Sequence, residues 1–366
     1  MKPVKVQLIA AARPNFMKVA PLYHALRQES WCQPILVHTG QHYDFNMSDA
    51  FFRDLMLPEP DHHLNVGSGT HAQQTGGVMI AHEKVCLERR PDWIVVVGDV
   101  NSTVACALVG AKLGIPVAHL EAGLRSGDRR MPEEINRLAT DAISDVLWTP
   151  SEDADRNLLR EGVDPARIEC VGNIMIDSYE MLRPRIEQER LPGKLGLTRQ
   201  GYVVVTLHRP SNVDDPRQLR ELFEALGAIA GSRHVVFPMH PRTRHRAREF
   251  DLLSLLEGRS DVTLTEPLGY VEFMSLVTGA AAVVTDSGGV QEETSYLGIP
   301  CFTLRENTER PVTVTHGTNR LVKPQMLQRA MAELPPRRGD KPPPPLWDGR
   351  TAKRVAESLR RRSGRA

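Results

Sequence analysis

Cysteine is scarce in this chain. Cys32, Cys86, Cys106, Cys170 and Cys301 stand singly, with none of the paired spacings of a zinc ribbon or a small disulfide scaffold. They read as thiols of a reducing compartment. A charge excess of either sign is also missing, because 46 basic and 45 acidic residues leave a formal charge of +1. That balance gives no overall pull toward nucleic acid or an anionic membrane. No apolar run reaches the length of a signal peptide or a bilayer span, so a soluble cytoplasmic enzyme is expected. Gly67, Gly69 and Ala72 match a GxGxxA fingerprint, but no buried strand precedes them and no acidic partner follows. The reading there is a loop and a helix cap. His62, His63, His71 and His82 lack the spacing of a metal motif, and neither a metal nor a cofactor is expected.

What the chain does contain is a repeated alternation of strands and helices. Its 366 residues exceed the size at which one core keeps growing, so two domains are expected. Continuous Val, Ile and Leu runs at Val4 to Ala10, Pro34 to His38, Trp93 to Val97, Val117 to Leu120 and Val146 to Thr149 suit strands buried on both faces of a parallel sheet. The second half repeats the design at Tyr202 to Leu207, His234 to Met239, Val262 to Thr265, Ala281 to Thr285 and Cys301 to Leu304, with a helix over Gln218 to Ala230. The expected architecture is α/β, two Rossmann-like doubly wound domains, 1–172 and 173–345, with ligand in a cleft at the carboxyl ends of their strands. Residues 346–366 follow a proline-rich stretch and read as a helix that docks back on the body.

The most telling segment runs from Val283 to Pro300. An apolar strand there leads into Ser287, Gly288 and Gly289 and straight into a helix, aiming free N–H groups and a positive dipole end at one point. A diphosphate fits that point, and Glu293 farther along can accept from ribose hydroxyls. Arg13 and Lys18 follow the first strand, spaced to surround one anion or to sit as solvated surface cations. Asp99 and Glu121 close successive strands and form the main catalytic signal, because two converging carboxylates can trade a proton or balance positive charge at carbon. Asp99 also reads as a helix cap. Glu133 and Arg137 stand one helical turn apart and share a face, while Glu134 reads as an ordinary helix start after Pro132. His208 with Arg209, and His240, end two strands of the second half, where an imidazole can meet a phosphate or a leaving group.

Taken together, ARPNFMKVAPL, GDVNST, HLEAGLRSGD, PEEINR, HRPSN, DSGGVQEE and TERPVTVTHGTNRLV resemble the non-hydrolysing UDP-N-acetylglucosamine 2-epimerases almost end to end. The resemblance implies a glycosyltransferase-B-like fold, a UDP-sugar substrate, homodimers, and interconversion of UDP-N-acetylglucosamine and UDP-N-acetylmannosamine without nicotinamide or metal. It implies Arg13, Lys18, Asp99, Glu121, Glu133, Arg137 and His208 around the sugar and diphosphate. Ser287, Gly288, Gly289, Glu293 and Arg310 fall on phosphates and ribose, with Phe273 and the backbone near Leu268 at the uracil. Asp99 is then the expected base, Glu121 and Glu133 assist proton return, and His208 steadies the departing diphosphate.

Three segments depart from the pattern. The usual GTRPE opening reads AARPN, and HRPSN replaces HRRES, which admits a different sugar substituent. In TGQHYDFNMSD, Gln41 and His42 survive but a later glutamine does not, which argues against activation by a second substrate molecule. A UDP-sugar hydrolase or glycosyltransferase would share the fold. A non-catalytic nucleotide-sugar sensor would keep the Ser287 segment and lose the carboxylates, whereas here all are present.

Overall fold

The computed structural model describes residues 2–11, 13–40, 54–339 and 342–365; the side chains of Arg13 and Pro14, and the segment holding Gln41 and His42, lie outside the described residues. The chain divides into two compact units, Met1–Met181 with Pro345–Ala366, and Leu182–Pro344.

The first unit is built on a seven-stranded parallel sheet in the order β3-β2-β1-β4-β5-β6-β7. Its strands are β1 (Val4–Ala10), β2 (Cys32–His38), β3 (His62–His63), β4 (Trp93–Val97), β5 (Val117–Leu120), β6 (Val146–Thr149) and β7 (Ile168–Cys170). The central strands are continuous apolar runs because helices cover both faces, and every residue of β4, β5 and β6 is buried. Two edge strands, β3 and β7, escape sequence reading, since His62–His63 and Ile168–Cys170 are short and half exposed. The helices are α1 (Arg13–Arg27), α2 (His71–Glu88), α3 (Asn101–Leu113), α4 (Pro132–Ile143), α5 (Glu152–Arg160) and α6 (Ile174–Glu189). Thr70 and Gln73 form a reciprocal capping box at the start of α2, which explains the false GxGxxA match.

The second unit repeats the plan with six parallel strands ordered β10-β9-β8-β11-β12-β13. They are β8 (Tyr202–Thr206), β9 (His234–Pro238), β10 (Val262–Thr265), β11 (Ala282–Thr285), β12 (Cys301–Thr303) and β13 (Asn319–Leu321). Three strands stop one residue short of the apolar runs. Leu207, Met239 and Leu304 fall outside the strands but stay buried, and the Met239 and Leu304 amides still donate to the Thr265 and Thr285 carbonyls at 3.1 and 2.8 Å. Helices α7 (Pro216–Ala230), α8 (Pro241–Glu249), α9 (Tyr270–Gly279), α10 (Gly288–Leu297) and α11 (Pro324–Ala332) complete the unit. Asp215 caps α7, whose Leu219, Leu222, Phe223 and Leu226 enter the core, with Phe223 edge-on to Phe237 at 6.3 Å.

The first compact unit runs to Met181, so the first half of α6 belongs to it. There Ser178 donates to the Met17 carbonyl, and Asp177 accepts the Thr351 and Ala352 amides at 3.1 and 2.8 Å. The final helix, α12 (Thr351–Arg362), packs on this unit, with Ser358 Oγ 3.0 Å from Trp148 Nε1.

Candidate active site

Both sheets reverse strand order beside their first strand, between β1 and β4 and between β8 and β11, and ligands of open α/β sheets bind outside the carboxyl ends at such points. In the first unit Gly98 and Asp99 leave β4 and Glu121 leaves β5. Gly98 turns in the left-handed region at φ 68, which glycine adopts without strain. The turn is pinned from two sides. Asn15 Nδ2 donates to the Val97 carbonyl at 2.9 Å, and His119 Nε2 lies 2.8 Å from the Gly98 carbonyl. His119 Nδ1 is 2.6 Å from Asp141 Oδ1, so both ring nitrogens face acceptors. Asp141 in turn takes the Gly123 amide and Arg125. Burial pushes its carboxyl up, but His119 and Arg125 outweigh this and hold it below the usual range.

Lys18, one turn into α1, is paired with Glu121 rather than held free for an external anion. Glu121 is buried, its backbone lies in the left-handed region at φ 72, and its Oε1 has no hydrogen-bond partner. Asp99 is about one-third exposed, at 31%, and its Oδ2 lies 2.5 Å from Arg137 Nη1. Glu133 and Arg137 share α4, but Arg137 turns to Asp99 and Glu134 instead. Glu134 is therefore no ordinary helix start: it is buried, lies 2.6 Å from Arg137 Nη2, and accepts the Ser126 and Gly127 amides at 3.0 and 2.9 Å. Its burial alone would raise its carboxyl, yet these donors bring it below the ordinary value. Glu133 remains half buried in the first turn.

In the second unit Ser287 precedes α10 without a side-chain cap, so the amides of Gly288, Gly289 and the next residue head the helix with no intrahelical acceptor. A Cβ on Gly288 would meet Arg310 Nη1 at 2.6 Å, so only glycine lets that guanidinium lie against the helix start. Arg310 is held there by Glu292 at 2.7 Å and Glu309 at 2.6 Å. Glu293 is buried and accepts from Tyr270 Oη at 2.7 Å, and burial, reinforced by Glu292, pushes its carboxyl up to about 8. Phe273, half buried, lies in α9 beside Tyr270, and Leu268 is half exposed just before that helix. His208 Nδ1 lies 3.0 Å from Asp286, and the His240 ring centroid is 5.6 Å from that of His208.

The structure thus brings Lys18, Asp99, Glu121, Glu133 and Arg137 to one end of the first sheet. His208, His240, Ser287, Gly288, Gly289, Glu293 and Arg310 lie at the corresponding end of the second. Sequence reading missed His119, Asp141 and Asp286. Asp286 stands inside DSGG, where its buried position at the end of an apolar strand was the available signal; Asp141 lies in no motif.

Two parallel α/β units of like strand order, one ending in carboxylates and the other in an open helix start, define an enzyme of the glycosyltransferase-B-like class. Residues 24–360 match the family model described as UDP-N-acetylglucosamine 2-epimerase. The UDP-N-acetylglucosamine 2-epimerase of Methanocaldococcus jannaschii is 42% identical, over 97% of this chain and 99% of that protein. A crystal structure of the enzyme from the same organism, in complex with UDP-GlcNAc and UDP, is similar with a TM-score of 0.86, 41% identity, and 97% and 99% of the two chains covered. The UDP-2,3-diacetamido-2,3-dideoxy-D-glucuronate 2-epimerase of Pseudomonas aeruginosa is 42% identical over 87% of this chain and 88% of that protein. The chain belongs to the UDP-N-acetylglucosamine 2-epimerase family.

Proposed function

We propose that the protein is a non-hydrolysing epimerase that inverts C2 of a UDP-N-acetylhexosamine, taking UDP-N-acetylglucosamine to UDP-N-acetylmannosamine. The observation that carries this reading, beyond family membership, is Glu121, a buried carboxylate on a left-handed backbone with one oxygen on Lys18 and the other unpartnered. Strain and an unsatisfied acceptor persist where a reaction uses them.

The C2 hydrogen of the acetal sugar is barely acidic, so C1–O cleavage comes first. Both bond electrons leave with UDP, C1 gains cationic character, and the C2 proton passes to Asp99 as the C1–C2 double bond of a glycal forms. Glu121 and Glu133 balance the cationic centre, and whichever of them enters the step protonated delivers its proton to the opposite face of C2 before UDP re-adds at C1; Asp99 is left protonated and exchange with water resets both groups. Arg13, Lys18 and Arg137 set the charge around these carboxylates. The Ser287, Gly288 and Gly289 amides, Arg310, His208 and His240 hold the diphosphate. Glu293 takes the ribose hydroxyls, with Phe273 and the Leu268 backbone at the uracil.

Incubation with UDP-N-acetylglucosamine in deuterated water tests this reading by NMR. Deuterium at C2 in an epimer mixture is expected; free sugar without an epimer would mark a hydrolase, and unaltered bound ligand a sensor. Asp99→Asn is expected to lower kcat by about 100-fold or more while UDP affinity holds; an unchanged rate removes Asp99 as the base.

A second reading concerns the sugar. Arg209 in the divergent HRPSN segment has its Nε buried without a hydrogen-bond partner, and a hexuronate carboxylate of the kind named for the Pseudomonas relative would satisfy it. Comparing kcat/KM for UDP-N-acetylglucosamine and the diacetamido-glucuronate separates the two. The protein is further taken as a cytoplasmic homodimer, which the exposed Ile80 and Leu87, seven residues apart on α2, support. Light scattering giving a monomer mass would remove the dimer.

A further inference from the structure

His208 and His240 stand two residues beyond the ends of neighbouring strands, β8 and β9, with their rings tilted 40° to one another. Their partners differ in kind. His208 Nδ1 faces Asp286 Oδ1, an ionised acceptor, at 3.0 Å. His240 Nδ1 instead accepts the Arg242 backbone N–H at 3.2 Å, as the cap of α8. One Nδ1 must therefore carry hydrogen and the other must not.

Asp286 is fully buried at the end of β11, and its carboxylate is saturated with donors. Its Oδ2 accepts the His208 amide at 3.0 Å, the Arg209 amide at 2.9 Å and Asn212 Nδ2 at 3.0 Å, while Oδ1 faces the imidazole and shares the same His208 amide at 3.2 Å. Burial alone would push the Asp286 carboxyl up, but these donors and His208 hold it below the ordinary value. It is thus a fixed anion. His240 is driven the other way, because burial and the neighbouring His208 lower its affinity for a proton. The groups facing the pair are Asp286 from β11, Arg242 from α8, and each histidine toward the other.

We propose that Asp286 is a positioning residue that fixes His208 in the Nδ1–H tautomer, while the α8 cap fixes His240 in the Nε2–H tautomer, so that the two imidazoles divide the work at the diphosphate. With hydrogen on Nδ1, the lone pair of His208 lies on Nε2, the nitrogen left to meet the diphosphate. Protonated, it meets the leaving diphosphate as a cation braced from behind by Asp286. His240 stays neutral and serves as a plain hydrogen-bond donor. Asp286 also directly precedes Ser287, so one backbone step joins the anchor of His208 to the helix start that receives the phosphates. This inference rests on the diphosphate reading of the second unit.

Long-range proton–nitrogen NMR of the 15N-histidine-labelled protein at alkaline pH reads the tautomers directly and needs no turnover. His208 is expected as Nδ1–H and His240 as Nε2–H; finding His208 as Nε2–H overturns the proposal. Asp286→Asn turns its amide nitrogen toward the ring, since its oxygen must stay with the three donors, and is expected to convert His208 to Nε2–H. Its kcat is expected to fall about 100-fold with KM changed only a few-fold, less than the roughly 10⁴-fold loss where the oriented histidine itself carries the proton in every step. Folded Asp286→Asn with unchanged kcat overturns it as well. Should that variant not fold, the tautomers of the unaltered protein decide alone. If the tautomers are as expected but no C2 exchange occurs with either UDP-sugar, the epimerase reading falls and the assignment of the two imidazoles stands.

Discussion

Arg137 and Asp99 meet through Nη1 and Oδ2 at 2.5 Å, while the other end of the same guanidinium lies 2.6 Å from Glu134. Asp99, the more exposed of the two carboxylates, is thereby braced against a buried strut whose far end is anchored by the Ser126 and Gly127 amides. Removing the middle of such a chain strands a buried charge. Arg137→Gln is expected to cost about 3–5 kcal/mol in a urea titration, the range for breaking a buried pair by deleting one partner. Glu133→Gln, whose side chain takes no part in the strut, is expected to leave that titration within about 0.5 kcal/mol and act on turnover alone. A comparable stability loss in Glu133→Gln would assign the two glutamates the wrong way round.

Gly98 tests how tightly the carboxylates are held. A Cβ at this position would lie 3.1 Å from Lys18 Nζ and 3.4 Å from Glu121 Oε2, on a backbone at φ 68. Both strain and crowding fall on the same pair, so Gly98→Ala is expected to cost about 1–3 kcal/mol and to lower kcat more than tenfold. Gly114→Ala, with φ 61 but nothing within 4 Å of its Cβ, carries the strain without the crowding. Equal kcat losses in the two variants would separate Gly98 from the site.

The strand positions and the chemistry at their ends were legible in the sequence because parallel strands covered on both faces are written as unbroken apolar runs. Glu121 follows such a run directly, and Asp99 and Ser287 follow theirs one residue later. The edge strands β3 and β7 were not legible, since partial exposure removes the run and leaves only hydrogen bonding. Nor were the partners: Lys18 finds Glu121 across 103 residues and His208 finds Asp286 across 78, and no local spacing encodes a meeting set by strand order. Glu134 was misread for the same reason, as two loop amides and Arg137 convert a usual helix start into a buried node.

The carboxy-terminal helix should be indispensable to the first unit. Val355 and Leu359 of α12 and the preceding Trp347 are buried, Trp347 Nε1 donates to the Pro150 carbonyl at 3.0 Å, and Ser358 accepts from Trp148. Burial of three such side chains contributes about 5 kcal/mol or more, so a chain ending at residue 344 is expected to lose roughly 10 °C or more in thermal midpoint. Differential scanning calorimetry checks this, and an unchanged midpoint would show that the helix adds nothing to the unit's stability.

Glu293 gives a pH dependence whose sign is fixed by its surroundings. Burial raises its carboxyl from 4.5 to about 8, so between those values the folded chain holds a proton that the unfolded chain has released. Stability contributed by this group is full below about 4.5, is lost as pH rises toward 8, and stays level above it, with a slope of up to about 1.4 kcal/mol per pH unit. Glu293→Gln removes the ionisation and is expected to flatten that part of the profile in urea titrations from pH 5 to 9. Ribose hydroxyls donating to the carboxylate would favour its ionised form, so UDP binding at pH 7 is expected to release a proton. Calorimetry in buffers of different ionisation enthalpy measures that release, and it should disappear in Glu293→Gln. Equal proton release by both proteins would detach Glu293 from the nucleotide.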